Sequence, residues 1–243
     1  GSTTEEILEN LEEKKKRLEE LENFDVLKKK TGERLENARN ELEKLCTELS
    51  EIRKKASKEL TEKIKQGLED LNFMGVEFSI AFTRLERYTP NGFDEVEFMI
   101  STNPGEPIRP LAMVASGGEL SRIMLAIKTV LADSDNIPTL IFDEIDTGIS
   151  GGTAQKVSEK LCYIAGRHQV LCITHLPQIA AMADVHFEIA KETKDGRTIT
   201  AIRRLSEEEM VMELARLLGG VQITDAVIEN AREMKRLAKG KKG

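Results

Sequence analysis

The sequence has no excess of positive charge, no cysteines at metal-ligand spacing, no long apolar run and no phosphate loop. Each absence closes off a class of protein. Its 36 Lys+Arg stand against 43 Asp+Glu, a net charge of −7, so the chain as a whole carries no electrostatic footprint for nucleic acid. The three cysteines, Cys46, Cys162 and Cys172, are odd in number and show no metal spacing, which argues against a disulfide framework and a metal site. Cys162 and Cys172 fall in apolar runs and read as core residues. No run of about 18 apolar residues offers a membrane span, and no secretory signal is visible, so a reducing, cytoplasmic compartment is expected. Finally, no G-x-x-x-x-G-K-[ST] pattern occurs between Gly1 and Gly243.

What is present divides at about residue 72. Residues 1–72 hold 16 Lys+Arg and 19 Asp+Glu with almost no aromatics. That is too polar for a globular core and suits a long exposed helix or coiled coil. Gly1-Ser2 is expected to be an expression scar on a chain that starts inside a longer protein. Leu35, Ala38, Leu42, Leu45, Leu49, Ile52 and Ala56 step by three and four, the seam of a coiled coil. After Ala56 the steps become four, through Leu60, Ile64 and Leu68, and the seam drifts around the helix. Ile7, Leu11, Leu18 and Leu21 form a shorter stripe, and Asn23–Gly32 interrupts the pattern, with Gly32 as a joint. A helix from about residue 33 to 71 would be roughly 58 Å long and would need a mate in water. That mate is either the upstream stripe or a segment outside the chain.

Residues 73–243 are long enough to bury a core of their own. Val76, Phe78, Ile80 and Phe82 alternate with Glu77, Ser79, Ala81 and Thr83, and Val96, Phe98 and Ile100 alternate again beyond Pro90-Asn91-Gly92. This predicts an antiparallel hairpin. Helix (about 120–132), strand (139–142), helix (154–165), strand (170–174), short helix (178–183) and strand (185–190) follow in order. Alternation with fully apolar strands predicts an α/β fold whose sheet is largely parallel and covered by helices. A second hairpin is expected at Lys194-Asp195-Gly196-Arg197. Ser206 with Glu209 reads as a capping box opening a helix that Gly219-Gly220 ends. Thr224 caps a last helix, and residues 239–243 form a frayed tail.

Three segments carry chemistry. Ser116-Gly117-Gly118-Glu119 opens a helix, where free N–H groups and glycines let a phosphate approach the backbone; an ordinary glycine turn capped by Ser116 would look the same. Asp143-Glu144 ends an apolar strand, where one carboxylate can hold Mg²⁺ and its neighbour can deprotonate a water; two solvated acids at a strand end are the bland alternative. His175 ends the next strand, where an imidazole can donate to a terminal phosphate oxygen or serve only packing. The three fall on consecutive α/β units in one order, which packing needs alone do not explain. Together they point to nucleotide chemistry.

The segments Ala115–Arg122, Phe142–Gly151 and Ile173–Ala180 resemble the RecN family of bacterial DNA-repair proteins, SMC-like ATPases of the ATP-binding-cassette type whose head is split in sequence by a coiled-coil arm. The resemblance runs from about Glu33 and is most specific from Leu111 to Ala183. It implies the C-terminal lobe of an ABC-type ATPase head over residues 73–243, with β-hairpins, preceded by a coiled-coil arm segment over residues 1–72. By that resemblance Ser116, Gly117, Gly118 and Glu119 form the signature motif, which contacts ATP on the opposite head. Asp143 is the Walker B ligand to Mg²⁺, Glu144 the catalytic base, Asp146 the D-loop residue that crosses the head dimer, and His175 the switch histidine. The implied partners are a missing N-terminal lobe of the same protein, a second head in a homodimer, and DNA, with no membrane. The implied setting is double-strand-break repair and recombination at the nucleoid.

Two further readings stand beside this one. The chain could be another SMC-like head of chromosome maintenance, or a non-enzymatic coiled-coil adaptor with an incidental acidic strand end. Two expectations follow from the residues. Lacking a phosphate loop, the chain alone should not hydrolyse ATP. Since the seam of residues 33–56 faces another helix, the lobe should fold without the residues before about Asn72.

Overall fold

The computed structural model describes residues 3–114, 116–134, 136–194, 197–220 and 222–240. The chain divides into two compact units, one of residues 1–56 with 83–95 and one of residues 57–82 with 96–243. A single helix, α1 (Thr4–Asp70), supplies residues to both. The joint expected at Asn23–Gly32 is not there. Asn23 turns its amide back onto the carbonyl of Glu19 at 2.9 Å, so it follows the helix instead of capping it. Gly32 costs only about 1 kcal/mol in a helix interior, which the surrounding Glu, Lys and Leu residues outweigh.

In the first unit the tip of a hairpin, β1 (Glu77–Thr89) and β2 (Gly92–Ser101), packs on α1. The turn is the one expected: Thr89 Oγ1 donates to the Gly92 carbonyl at 2.7 Å, and Gly92 takes φ +91°. Arg84 grips both oxygens of Glu43 at 2.8 and 2.9 Å, and the Tyr88 hydroxyl donates to the same carboxylate. Tyr88 first and Arg84 second hold the Glu43 carboxyl below its usual range. Cys46 and Ser50 are buried, and Ser50 donates to Asp94 at 2.9 Å. The seam residues Leu35, Leu45 and Ile52 stay exposed.

The second unit holds the main core. Ile64 and Leu68 from the end of α1, and Leu71 just past it, are at most 1 % exposed and join Val76, Phe78 and Ile100 of the hairpin base. They meet Ile123, Leu125 and Ala126 of α2 (Gly117–Leu131) and Val157, Leu161 and Ile164 of α3 (Gly151–Ala165). The last turns of α1 are therefore core, and this packing stands against the expectation that the lobe folds without the residues before Asn72. Gly67 lets α1 approach α2: a Cβ there would lie 3.5 Å from that of Ala126.

A two-residue strand, β3 (Arg109–Pro110), pairs antiparallel with β2. β4 (Thr139–Phe142) and β5 (Gln169–Cys172) pair in parallel, Thr139 opposite Gln169 and Phe142 opposite Cys172. The class is mixed α/β, and among the described residues parallel pairing is confined to these two strands. The expected third strand at 185–190 does not extend them. Instead β6 (Phe187–Lys194) pairs antiparallel with β7 (Arg197–Arg204). Its alternation of Phe187, Ile189 and Lys191 with Glu188 and Glu192 suits a hairpin arm better than a strand buried on both faces. The hairpin's turn residues Asp195 and Gly196 lie outside the described residues. A second core joins α4 (Pro177–Ala181), α5 (Glu207–Gly219) and α6 (Asp225–Gly240) through Ala181, Met182, Leu214, Ala215 and Ala231.

Candidate nucleotide site

The turn from Asp143 to Thr147, which follows β4, gathers the residues that the sequence singled out. The first turns of α2 dock directly on it. Ser116 is the N-cap of α2 and accepts from the Glu119 N–H at 3.4 Å. Gly117 faces the Glu144 carboxylate so closely that a Cβ would collide with Glu144 Oε2. A Cβ on Gly118 would lie 2.9 Å from the Cβ of Thr147 and 3.0 Å from the Glu144 carbonyl, so only glycine fits against this backbone. Gly118 is therefore needed in one chain, before any phosphate is considered.

Two residues of α2 tighten the junction that were not expected to act here. The Ser121 hydroxyl donates to the Asp143 carbonyl at 2.6 Å. Arg122 donates to the Thr147 carbonyl at 2.8 Å and the Ile145 carbonyl at 3.4 Å. Arg122 is 8 % exposed, its Nε finds no partner among the described residues, and its guanidinium lies 5.6 Å from the Phe73 ring centre. Burial pushes its pKa down from the usual arginine value. The spacing held the signal: positions 121 and 122 lie three and four residues beyond Gly118, hence on the same face.

Asp143 is exposed at the end of β4, and one of its oxygens accepts from the Glu144 N–H at 2.8 Å. Glu144 takes φ +56°, a left-handed conformation that a residue with a side chain adopts at a cost of order 1–3 kcal/mol. The twist sends its carboxylate back over Gly117. Asp146 points the other way. It is 4 % exposed, and its Oδ2 accepts from the Thr174 hydroxyl at 2.6 Å and the His175 main-chain N–H at 2.8 Å. His175 Nδ1 stands 3.0 Å from the same oxygen, and the imidazole is otherwise exposed. Beneath them, burial first and then Asp146 and Asp143 push the Cys172 thiol up to about 12. A thiol held that high is a poor nucleophile near neutral pH.

The arrangement thus places an exposed helix N-terminus, an exposed pair of acids and an exposed imidazole around one turn. Among the described residues, no three acidic, histidine or cysteine side chains converge to hold a metal. Asp143 alone is a fitting donor for an ion such as Mg²⁺, which keeps waters and takes its remaining ligands from phosphate.

No family model matches the chain. Among curated proteins it is 44 % identical over 242 residues to the DNA repair protein RecN of Halalkalibacterium halodurans, covering 98 % of this chain and 41 % of that protein. It is 41 % identical over 249 residues to the RecN of Bacillus subtilis, covering 96 % and 43 %. With the RecN of Treponema pallidum identity rises to 51 % over 151 residues, 62 % of this chain and 26 % of that protein. The chain spans about two-fifths of the length of the first two. Solved Smc head domains give looser likenesses. One from Pyrococcus yayanosii aligns at 20 % identity and TM-score 0.49 over 67 % of this chain and 29 % of that one. One from Pyrococcus furiosus aligns at 20 % and 0.47, over 88 % and 54 %.

Proposed function

The chain belongs to the RecN family of DNA repair proteins over the segment it spans, and from that premise we propose that it is the C-terminal lobe of an SMC-like ATPase head, with part of the arm. In this reading its partners are an N-terminal lobe carrying the phosphate loop, a second head, and DNA undergoing double-strand-break repair in the bacterial cytoplasm. Bound MgATP supplies the phosphoanhydride bond that water cleaves. The chain's own residues do the rest. Free N–H groups at the start of α2, capped by Ser116 and led by Gly117 and Gly118, receive a terminal phosphate from the opposite head, with Glu119 in the same turn. Asp143 supplies a metal ligand, and Glu144 accepts the proton of the attacking water. His175 donates to a phosphate oxygen, and Asp146 lies in the loop nearest the second head.

The observation that carries this reading is the junction of Gly117, Gly118, Asp143, Glu144, Asp146 and His175 on one turn. The test is to combine this chain with a lobe bearing the phosphate loop. Each part alone should show background ATP turnover, and together they should hydrolyse ATP. Glu144→Gln should abolish turnover while ATP still drives head pairing, and Asp143→Asn should weaken the Mg²⁺ requirement's site and binding with it. Mg²⁺-dependent turnover by residues 1–243 alone, lost in Glu144→Gln, would overturn the division of labour. A combination that never turns over ATP would leave a structural adaptor.

A further inference from the structure

The carboxylate of Asp146 does more inside its own lobe than an interface residue needs to. Three groups of residues 174 and 175 meet its Oδ2: the Thr174 hydroxyl at 2.6 Å, the His175 N–H at 2.8 Å and His175 Nδ1 at 3.0 Å. Thr174 Oγ1 in turn accepts from the Leu176 N–H at 3.0 Å. A hydroxyl that has spent its proton on Asp146 can accept that N–H, so the chain of bonds has one direction. It runs from Leu176 through Thr174 to Asp146. Asp146 is buried and the His175 ring is exposed, so the anchor is fixed and the imidazole is the part presented to a ligand.

We propose that Asp146, oriented by Thr174, is a positioning residue that fixes His175 as its Nδ1–H tautomer and turns Nε2 outward. An ionised carboxylate only accepts, so a ring nitrogen held against it carries the proton. The outward Nε2 of the neutral ring is then bare and can only accept. A phosphate oxygen also only accepts. His175 therefore contacts a terminal phosphate through Nε2 only when the ring carries both protons, with its charge paired to Asp146 behind it. This deepens the ATPase reading and rests on it for the identity of the ligand. The tautomer and its two supports stand on this chain's geometry alone.

The test needs no nucleotide, so its failure and the failure of the ATPase reading are separate results. The chain has three histidines, so ring-labelled protein gives three resolvable imidazoles by ¹³C and ¹⁵N NMR. His168 and His186 serve as reporters of an intact fold. The His168 ring nitrogens face the carbonyls of Ile137 at 2.7 Å and Ala132 at 3.3 Å, and His186 Nε2 faces that of Ala180 at 2.5 Å. At a pH where the rings are neutral, His175 should show the Nδ1–H form. Asp146→Ala should convert it mainly to the Nε2–H form that free imidazole side chains favour, whereas Asp146→Asn keeps an accepting oxygen and should retain Nδ1–H. Thr174→Val should give a mixture that Thr174→Ser restores. An Nε2–H ring in the unaltered chain overturns the proposal, and so does an Nδ1–H ring that persists in Asp146→Ala. Should Asp146→Ala disturb the His168 and His186 signals, Thr174→Val decides: a mixed ring supports the proposal and an unchanged one overturns it.

Discussion

Gly117 and Gly118 are adjacent, yet a methyl group would do different things at each. At Gly118 it would meet main-chain atoms of the Glu144–Thr147 turn, which cannot move without dragging β4 and the core residue Ile145. Gly118→Ala should cost about 1–3 kcal/mol, as overpacking does, read as a lower urea midpoint. At Gly117 the obstacle is the free end of the Glu144 side chain. Gly117→Ala should change the unfolding free energy from urea titration by less than about 0.5 kcal/mol, as surface changes do, while displacing the carboxylate. In the combined head its kcat should fall. Much of this site was legible in the sequence, because glycines at a helix start and acids at a strand end are local signals. The Glu144 backbone twist and the Arg122 contacts were not, since each depends on residues more than twenty positions away meeting in space.

Among the elements, α1 shows how local signals mislead. Gly32 looked like a joint because glycine weakens a helix, but its neighbours carry the helix through, and nothing lies within 4 Å of where its Cβ would be. Gly32→Ala should therefore stabilise that stretch by about 1 kcal/mol. Thermal melting followed by circular dichroism at 222 nm should show a higher helix midpoint. The α5 cap was read correctly, since Ser206 and Glu209 lie within one turn. There the Ser206 main-chain N–H first, then Arg203, hold the Glu209 carboxyl down to about 2, below its ordinary 4.5. A depressed folded-state value means that the contribution is whole above pH 4.5 and drains away as pH falls towards 2. Glu209→Gln should accordingly lower the urea midpoint at pH 6, and the gap to the unaltered chain should shrink at pH 3. The β6–β7 hairpin was legible from its turn at 194–197. That β6 does not extend the β4–β5 pair was not, because a single sequence gives the period of a strand but not its neighbour.

For the whole molecule, the drift of apolar positions after Ala56 marks where α1 enters the main core, ahead of the division at residue 72. Ile64, Leu68 and Leu71 together contribute roughly 5–9 kcal/mol of burial, comparable to the entire stability of an ordinary domain. A chain starting at Ser57 should keep cooperative unfolding in urea, and one starting at Asn72 should lose it.

Ser121 and Arg122 hold the carbonyls of Asp143, Ile145 and Thr147 from one helix, so α2 and that turn are a single lever. In a paired head one nucleotide would press on the start of α2 while another rests on the carboxylates. A lever makes pressure at the first into displacement at the second, and turnover then rises more steeply than in proportion to ATP. Under the proposed function, the combined head should show a Hill coefficient above one for ATP. Arg122→Met, which keeps a buried stem and drops the donors, should bring the coefficient back towards one before it abolishes turnover.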